Sequence, residues 1–127
     1  MTENEIAKQI VDVAFHIHST YGPGLLESVY EAIMAHELQK RGLTVSQQQP
    51  IPLIHDEVRM GVGFRADLIV GTKVVVEIKS IEAIGLVHKK QLLTYLRLAD
   101  KHLGLLINFN VELIKNGISR VVNQLPE

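Results

Sequence analysis

GVGFRADLIVGTKVVVEIK, residues 61–79, is the stretch that decides the fold. Its halves, 61–70 and 73–79, are rich in β-branched residues and flank Gly71-Thr72, so they read as the two strands of a hairpin. Side chains i and i+2 of a strand share a face, so Glu77 and Lys79 point one way while Val74, Val76 and Ile78 point the other. An isolated Glu-x-Lys is also the pattern of a solvent-facing ion pair on an amphipathic strand. Asp67 sets this one apart. It stands in the neighbouring strand, behind Ala66 and ahead of Leu68-Ile69-Val70, where a lone acid is unfavourable unless paired or metal-bound.

Whether Asp67 and Glu77 meet depends on the turn between them. Cross-strand partners face the same side, and a strict two-residue Gly71-Thr72 loop sets Asp67 opposite Val76, leaving the two carboxylates on opposite faces. A shared site therefore requires an odd loop, such as 71–73, or a β-bulge. With that loop, two carboxylates on adjacent strands offer hard oxygen ligands suited to Mg²⁺. Lys79 beside them is placed to orient or deprotonate a water, or to neutralise developing charge.

Outward from the hairpin, 43–54 carries Thr, Val and Gln around Pro50 and Pro52, predicting extended structure of low regularity with the prolines at an edge or bend. At the N-terminus Thr2 and Glu5 have capping-box spacing, and Ile6, Ile10, Val13, Ala14 and Ile17 form one stripe of a helix running to about Ser19. Gly22-Pro23-Gly24 then breaks the chain, and a second helix is expected from Leu25 to about Lys40, closed by Gly42. A third is expected from about Val87 to Ala99, with Leu92, Leu93 and Leu96 toward the core. The continuous apolar run 103–109 (LGLLINF) fits a strand buried on both faces, and 111–122 fits a last strand or a short helix. The reading is one α/β domain over 1–127: a mixed sheet flanked by helices, with an N-terminal helical hairpin.

Bulk properties narrow the function. The chain has 127 residues, 46% hydrophobic, enough for one core, and no cysteine, so any metal sits on oxygen or imidazole and a reducing cytoplasm is the simplest compartment. No signal-peptide pattern opens it and no segment is apolar for long enough to span a bilayer, so a soluble protein without a membrane partner is expected. A net charge of -1 argues against simple coating of nucleic acid. It argues less against cutting it, because a bound divalent cation restores local attraction for phosphate.

His88, Gln91 and Tyr95 fall at i, i+3 and i+7, one polar stripe of the third helix, which is also how an ordinary solvated face reads. Glu27 has the reading of a surface acid near a helix N-terminus, and Tyr30 that of a packed aromatic with its hydroxyl tied to a neighbour. His16 and His18 diverge by about 200° on a helix, unlike the i, i+4 pair that zinc prefers, and read as surface or packing residues.

The segment Gly24-Leu25-Leu26-Glu27-Ser28-Val29-Tyr30 resembles the signature of the GxxExxY family, part of the PD-(D/E)XK nuclease superfamily. FRADLIV, VVVEIKS, QLLTYLRL and GLLINF resemble that family's later segments, in the same order, and together they cover most of the chain. The resemblance implies a restriction-endonuclease-like core and a Mg²⁺-dependent nuclease, with Mn²⁺ as a substitute, acting on DNA or RNA, with a homodimer as one arrangement for cutting two strands. It implies Asp67 and Glu77 as metal ligands with the Ile78 carbonyl, Lys79 as the catalytic lysine, and Glu27 as the helix-borne acid completing the cluster. Gln91 and Tyr95 would form the active-site face of the third helix beside His88, and phosphate would be gripped from among Arg65, Lys89, Lys90 and Arg97. The competing expectation is a catalytically silent nuclease-fold module that docks nucleic acid or a partner protein, because fold alone does not guarantee activity.

Overall fold

A computed structural model describes residues 1–126. The elements in chain order are α1 (Glu3–Tyr21), α2 (Glu27–Lys40), β1 (Val45–His55), β2 (Val58–Val70), β3 (Val74–Lys79), α3 (Leu86–Ala99), β4 (Leu103–Asn108), a 3₁₀ turn (Ile114–Asn116) and β5 (Ile118–Val122). The strands form one mixed sheet in the order β1-β2-β3-β4-β5, antiparallel except for the parallel pair β3 and β4 that α3 connects. Three helices flank this sheet, the restriction-endonuclease-like arrangement expected from the sequence. No helix among the described residues is long and apolar enough to cross a membrane.

Two apolar layers sandwich the sheet. On one face the α1 stripe of Ile6, Ile10, Val13, Ala14 and Ile17, with Met34 and Leu38 of α2, packs on Leu68, Val70, Val74, Val76, Leu105 and Ile107. On the other, Leu92 and Leu96 of α3 pack on Ile69, Val75 and Leu106. Leu93, expected in the core, is only half-buried. Strands β3 and β4 are buried on both faces, which is why they are spelled as continuous apolar runs.

The ends of α1 follow the sequence closely. Thr2 Oγ1 accepts the Glu5 N–H at 3.2 Å and Glu5 Oε1 accepts the Thr2 N–H at 2.9 Å, completing the capping box. Helix α2 starts at Glu27 rather than at Leu25. The Leu25 N–H is drawn instead to the Tyr30 hydroxyl at 3.1 Å, and Leu26 is extended at φ −69°, ψ 151°. The Tyr30 ring stacks on Phe109 at 4.2 Å and 5°, so one tyrosine ties the interhelical loop to the end of β4.

Two corrections concern β1 and β2. The 43–54 region is more regular than expected: β1 pairs with β2 from Val45 to His55 with a gap at Gln48, and register shifts are confined to the Ile51–Ile54 stretch that contains Pro52. An edge strand tolerates its prolines because one side of its backbone needs no partner. β2 begins at Val58, ahead of the expected Gly61, because Asp56 (φ 49°) and Glu57 (φ 65°) make a tight left-handed turn from β1. The 111–122 tail, expected as a last strand or a short helix, is a 3₁₀ turn followed by a strand.

The β2–β3 turn has the odd length that the site requires. Val70 pairs with Val74, so the loop is 71–73. The Lys73 N–H donates to the Val70 carbonyl at 3.1 Å across Gly71 (φ 59°) and Thr72 (φ 60°), and Lys73 is the extra residue. Gly71 is needed twice over, since a Cβ there would also lie 2.7 Å from Ile6 Cδ1 of α1.

Candidate active site

The β2–β3 ladder runs from Val70 opposite Val74 to Leu68 opposite Val76 and stops. Carried one step further, the same register sets Asp67 opposite Glu77 on one face. Here side chains take over from backbone. Asp67 Oδ2 accepts the Ile78 N–H at 2.8 Å, and Glu77 Oε1 accepts the Asp67 N–H at 3.4 Å. Each carboxylate thus satisfies a main-chain donor of the other strand where the ladder opens into a fork. A strand residue turns its N–H and C=O to the same side, so the Ile78 carbonyl faces the fork too.

Glu77 is 7% exposed. Burial first, and the charge of Asp67 second, push its carboxyl up to about 8, with the Asp67 N–H and Lys79 pulling the other way. Lys79 follows on the same face, half-buried, and among the described residues no carboxylate lies within ion-pair distance of its ammonium. The lysine is not consumed by the acids beside it.

These residues open into a pocket of about 220 Å³ between the fork and α3. Arg65, Asp67, Glu77 and Lys79 line it from the sheet, His88, Gln91 and Tyr95 from α3, and Leu92 and Leu106 complete it. His88 also caps the start of the helix: its Nδ1 accepts the Gly85 N–H at 2.9 Å, which puts the proton of the neutral ring on Nε2. Tyr95 stacks on Phe64 at 3.8 Å and 5°, and burial, then the charge of Glu77, push its hydroxyl pKa up. A larger hollow of about 310 Å³ lies between α1 and α2. Its Arg41 is engaged by Asp12 at 2.6 Å, so its main charge is already spent within the fold.

Of the residues singled out in the sequence, the fold therefore gathers Asp67, Glu77, Lys79, Arg65, His88, Gln91 and Tyr95. Glu27 is not among them. Its Oε1 accepts the Ser80 N–H at 3.2 Å, and it borders a neighbouring hollow with Leu25, Ser28 and Ile81. Among the described residues no three acidic or imidazole side chains converge closely enough to hold a metal, so the three-carboxylate set is not assembled. Lys89, Lys90 and Arg97 of α3 are exposed and line no part of the pocket.

Two residues that the sequence did not single out support the site. Gln48 of β1 donates through Nε2 to Asp67 Oδ1 at 3.1 Å and to Glu31 Oε1 of α2 at 2.6 Å. Asn108, 1% exposed at the end of β4, meets the backbone of Ile81: its Oδ1 accepts the N–H at 3.1 Å and its Nδ2 donates to the carbonyl at 2.9 Å. It thereby holds the loop that follows Lys79. The only signal for Asn108 was a polar residue closing an apolar run, and nothing local distinguished Gln48 from Gln47 or Gln49.

The donor set fits a hard divalent cation. Two carboxylates and a main-chain carbonyl are all oxygen, and burial with the charge of Asp67 outweighs the pull of the Asp67 N–H and Lys79, so the pair at the fork favours a proton on Glu77 where a cation would otherwise balance it. A family model described as the PD-(D/E)XK nuclease superfamily matches residues 4–121. Neither a curated protein nor a solved structure matches the chain.

Proposed function

The chain belongs to the PD-(D/E)XK nuclease superfamily, and on that premise we propose that it is a Mg²⁺-dependent nuclease of the GxxExxY type that hydrolyses phosphodiester bonds in DNA or RNA. The observation that carries this reading is the odd-length turn at 71–73, which sets Asp67 opposite Glu77 on the face that also bears Lys79. Asp67, Glu77 and the Ile78 carbonyl would hold the cation. When bound, it supplies Lewis-acid stabilisation of the charge that develops on the phosphoryl oxygens.

The remaining steps belong to the side chains. Lys79 hydrogen-bonds the attacking water and offsets charge on the phosphoryl group as the water oxygen bonds to phosphorus and the bond to the leaving sugar oxygen breaks; the water gives up a proton to solvent and the leaving oxygen takes one up. Arg65 grips a non-bridging phosphate oxygen, and His88 Nε2–H is free to donate to another because Nδ1 is engaged. Glu27, held by Ser80 next to Lys79, orients water at the margin of the site. Purified protein with Mg²⁺ or Mn²⁺ should cleave at least one substrate in a panel of single- and double-stranded DNA and RNA, and Lys79→Ala and Asp67→Ala should each abolish the cleavage. Cleavage that persists in both variants, or none by the wild type, would leave the docking module as the better reading.

A further inference from the structure

We propose that Gln48, anchored by Glu31, is a positioning residue that holds the Asp67 carboxylate in the orientation the site needs. The proposal deepens the nuclease reading and, for its cation arm, rests on it. Asp67 is fixed at both oxygens: Oδ2 by the Ile78 N–H of β3, and Oδ1 by the side-chain amide of Gln48 of β1. Each oxygen keeps a lone pair, so the carboxylate is held without being used up. The amide is itself held, since its second N–H goes to Glu31 Oε1, and Glu31 Oε2 accepts from Gln47 Nε2 at 3.2 Å. With both amide protons committed, the Gln48 side chain is locked between two carboxylates on different elements.

The backbone shows that this contact is specific. β1 and β2 pair at Gln47 with Leu68 and at Gln49 with Ala66, but Gln48 and Asp67 between them make no ladder pair. Gln48 lies at φ 49° inside a strand, a left-handed conformation that costs a non-glycine residue about 1 kcal/mol or more. The sheet is therefore interrupted on both sides of Asp67, toward β1 by Gln48 and toward β3 by Ile78. In both gaps a side-chain hydrogen bond to the Asp67 carboxylate stands where a ladder pair would be. Outer partners of a metal-ligating carboxylate commonly govern affinity in this way.

The strained φ supplies a variant that separates positioning from mere structure. Gln48→Gly relieves the backbone and removes the amide, so its melting temperature should be no lower than that of the wild type. Its Mn²⁺ affinity, read by calorimetry without nucleic acid, should nonetheless fall about tenfold or more. Glu31→Ala should weaken Mn²⁺ binding less, and the Glu31→Ala/Gln48→Gly double variant no more than Gln48→Gly alone, because Glu31 acts through Gln48. The Ile78 amide should also exchange about fivefold faster in Gln48→Gly, as expected when a held acceptor is loosened by the worth of one hydrogen bond. Equal Mn²⁺ affinity in wild type and Gln48→Gly overturns the proposal. If the wild type binds no Mn²⁺, the nuclease reading fails instead, and Ile78 exchange decides the clamp: faster exchange sustains it and unchanged exchange refutes it.

Discussion

Replacing Glu77 by Gln keeps the shape of the side chain and removes its ionisation, which turns the electrostatics of the fork into a stability measurement. The Glu77 carboxyl rises from an ordinary 4.5 to about 8 on folding. The folded chain therefore binds its proton more tightly than the unfolded chain, and stability falls as pH rises between those values and levels off above about pH 8. Linkage sets the penalty at about 1 kcal/mol at pH 5, about 3 at pH 7 and nearly 5 at pH 9, to within an order of magnitude. Glu77→Gln lacks this dependence. Whatever constant offset the amide introduces, its stability relative to the wild type should improve by about 2 kcal/mol from pH 5 to 7 and by about 4 from pH 5 to 9. Urea denaturation of both proteins across that range, without divalent cations, reads the difference directly. Parallel stability curves would refute the premise that burial and the charge of Asp67 outweigh the pull of Lys79 on the Glu77 carboxyl.

Three further perturbations test the scaffold. Deleting Lys73 leaves a two-residue turn through the left-handed Gly71 and Thr72 that keeps Val70 opposite Val74 and Asp67 opposite Glu77; the hairpin should still form, judged by circular dichroism, and calorimetric Mn²⁺ binding should persist, whereas its loss would count against the register. Asn108→Ala strands the N–H of Ile81, whose carbonyl keeps Asn110 Nδ2 at 3.2 Å, and should cost about 2 kcal/mol in urea denaturation. Tyr30→Phe keeps the stack on Phe109 but frees the Gly22 carbonyl and the Leu25 N–H, and should cost about 2 kcal/mol in the same assay.

The readable parts of this chain are those in which local chemistry and tertiary demand coincide. Thr2 and Glu5 cap α1 with groups three residues apart, and β3 and β4 must be apolar throughout because both their faces are covered. The parity of Asp67 and Glu77 could be counted along the chain, which reduced the site to one testable loop length. What escaped is set by contacts distant in sequence. The β1–β2 hairpin turns on Asp56-Glu57, a left-handed pair without the glycine or asparagine that signals such a turn. The start of α2 is displaced by the Tyr30 hydroxyl, and the role of Gln48 exists only because Glu31 and Asp67 approach it from two other elements. Resemblance assigns Glu27 to the cluster, whereas in the fold its carboxylate is directed to the Ser80 backbone.

The central claim is that the Asp67–Glu77 fork is built to hold a divalent cation, and the most direct test is the proton released when one binds. At pH 7 a carboxyl titrating near 8 is mostly protonated and must ionise to become a ligand. Mg²⁺ or Mn²⁺ titrated calorimetrically in buffers of different ionisation enthalpy should therefore bind with release of about 0.9 proton per site at pH 7, falling toward zero above pH 9. Glu77→Gln should release none. Binding without proton release, release that survives in Glu77→Gln, or no binding at all would contradict the account.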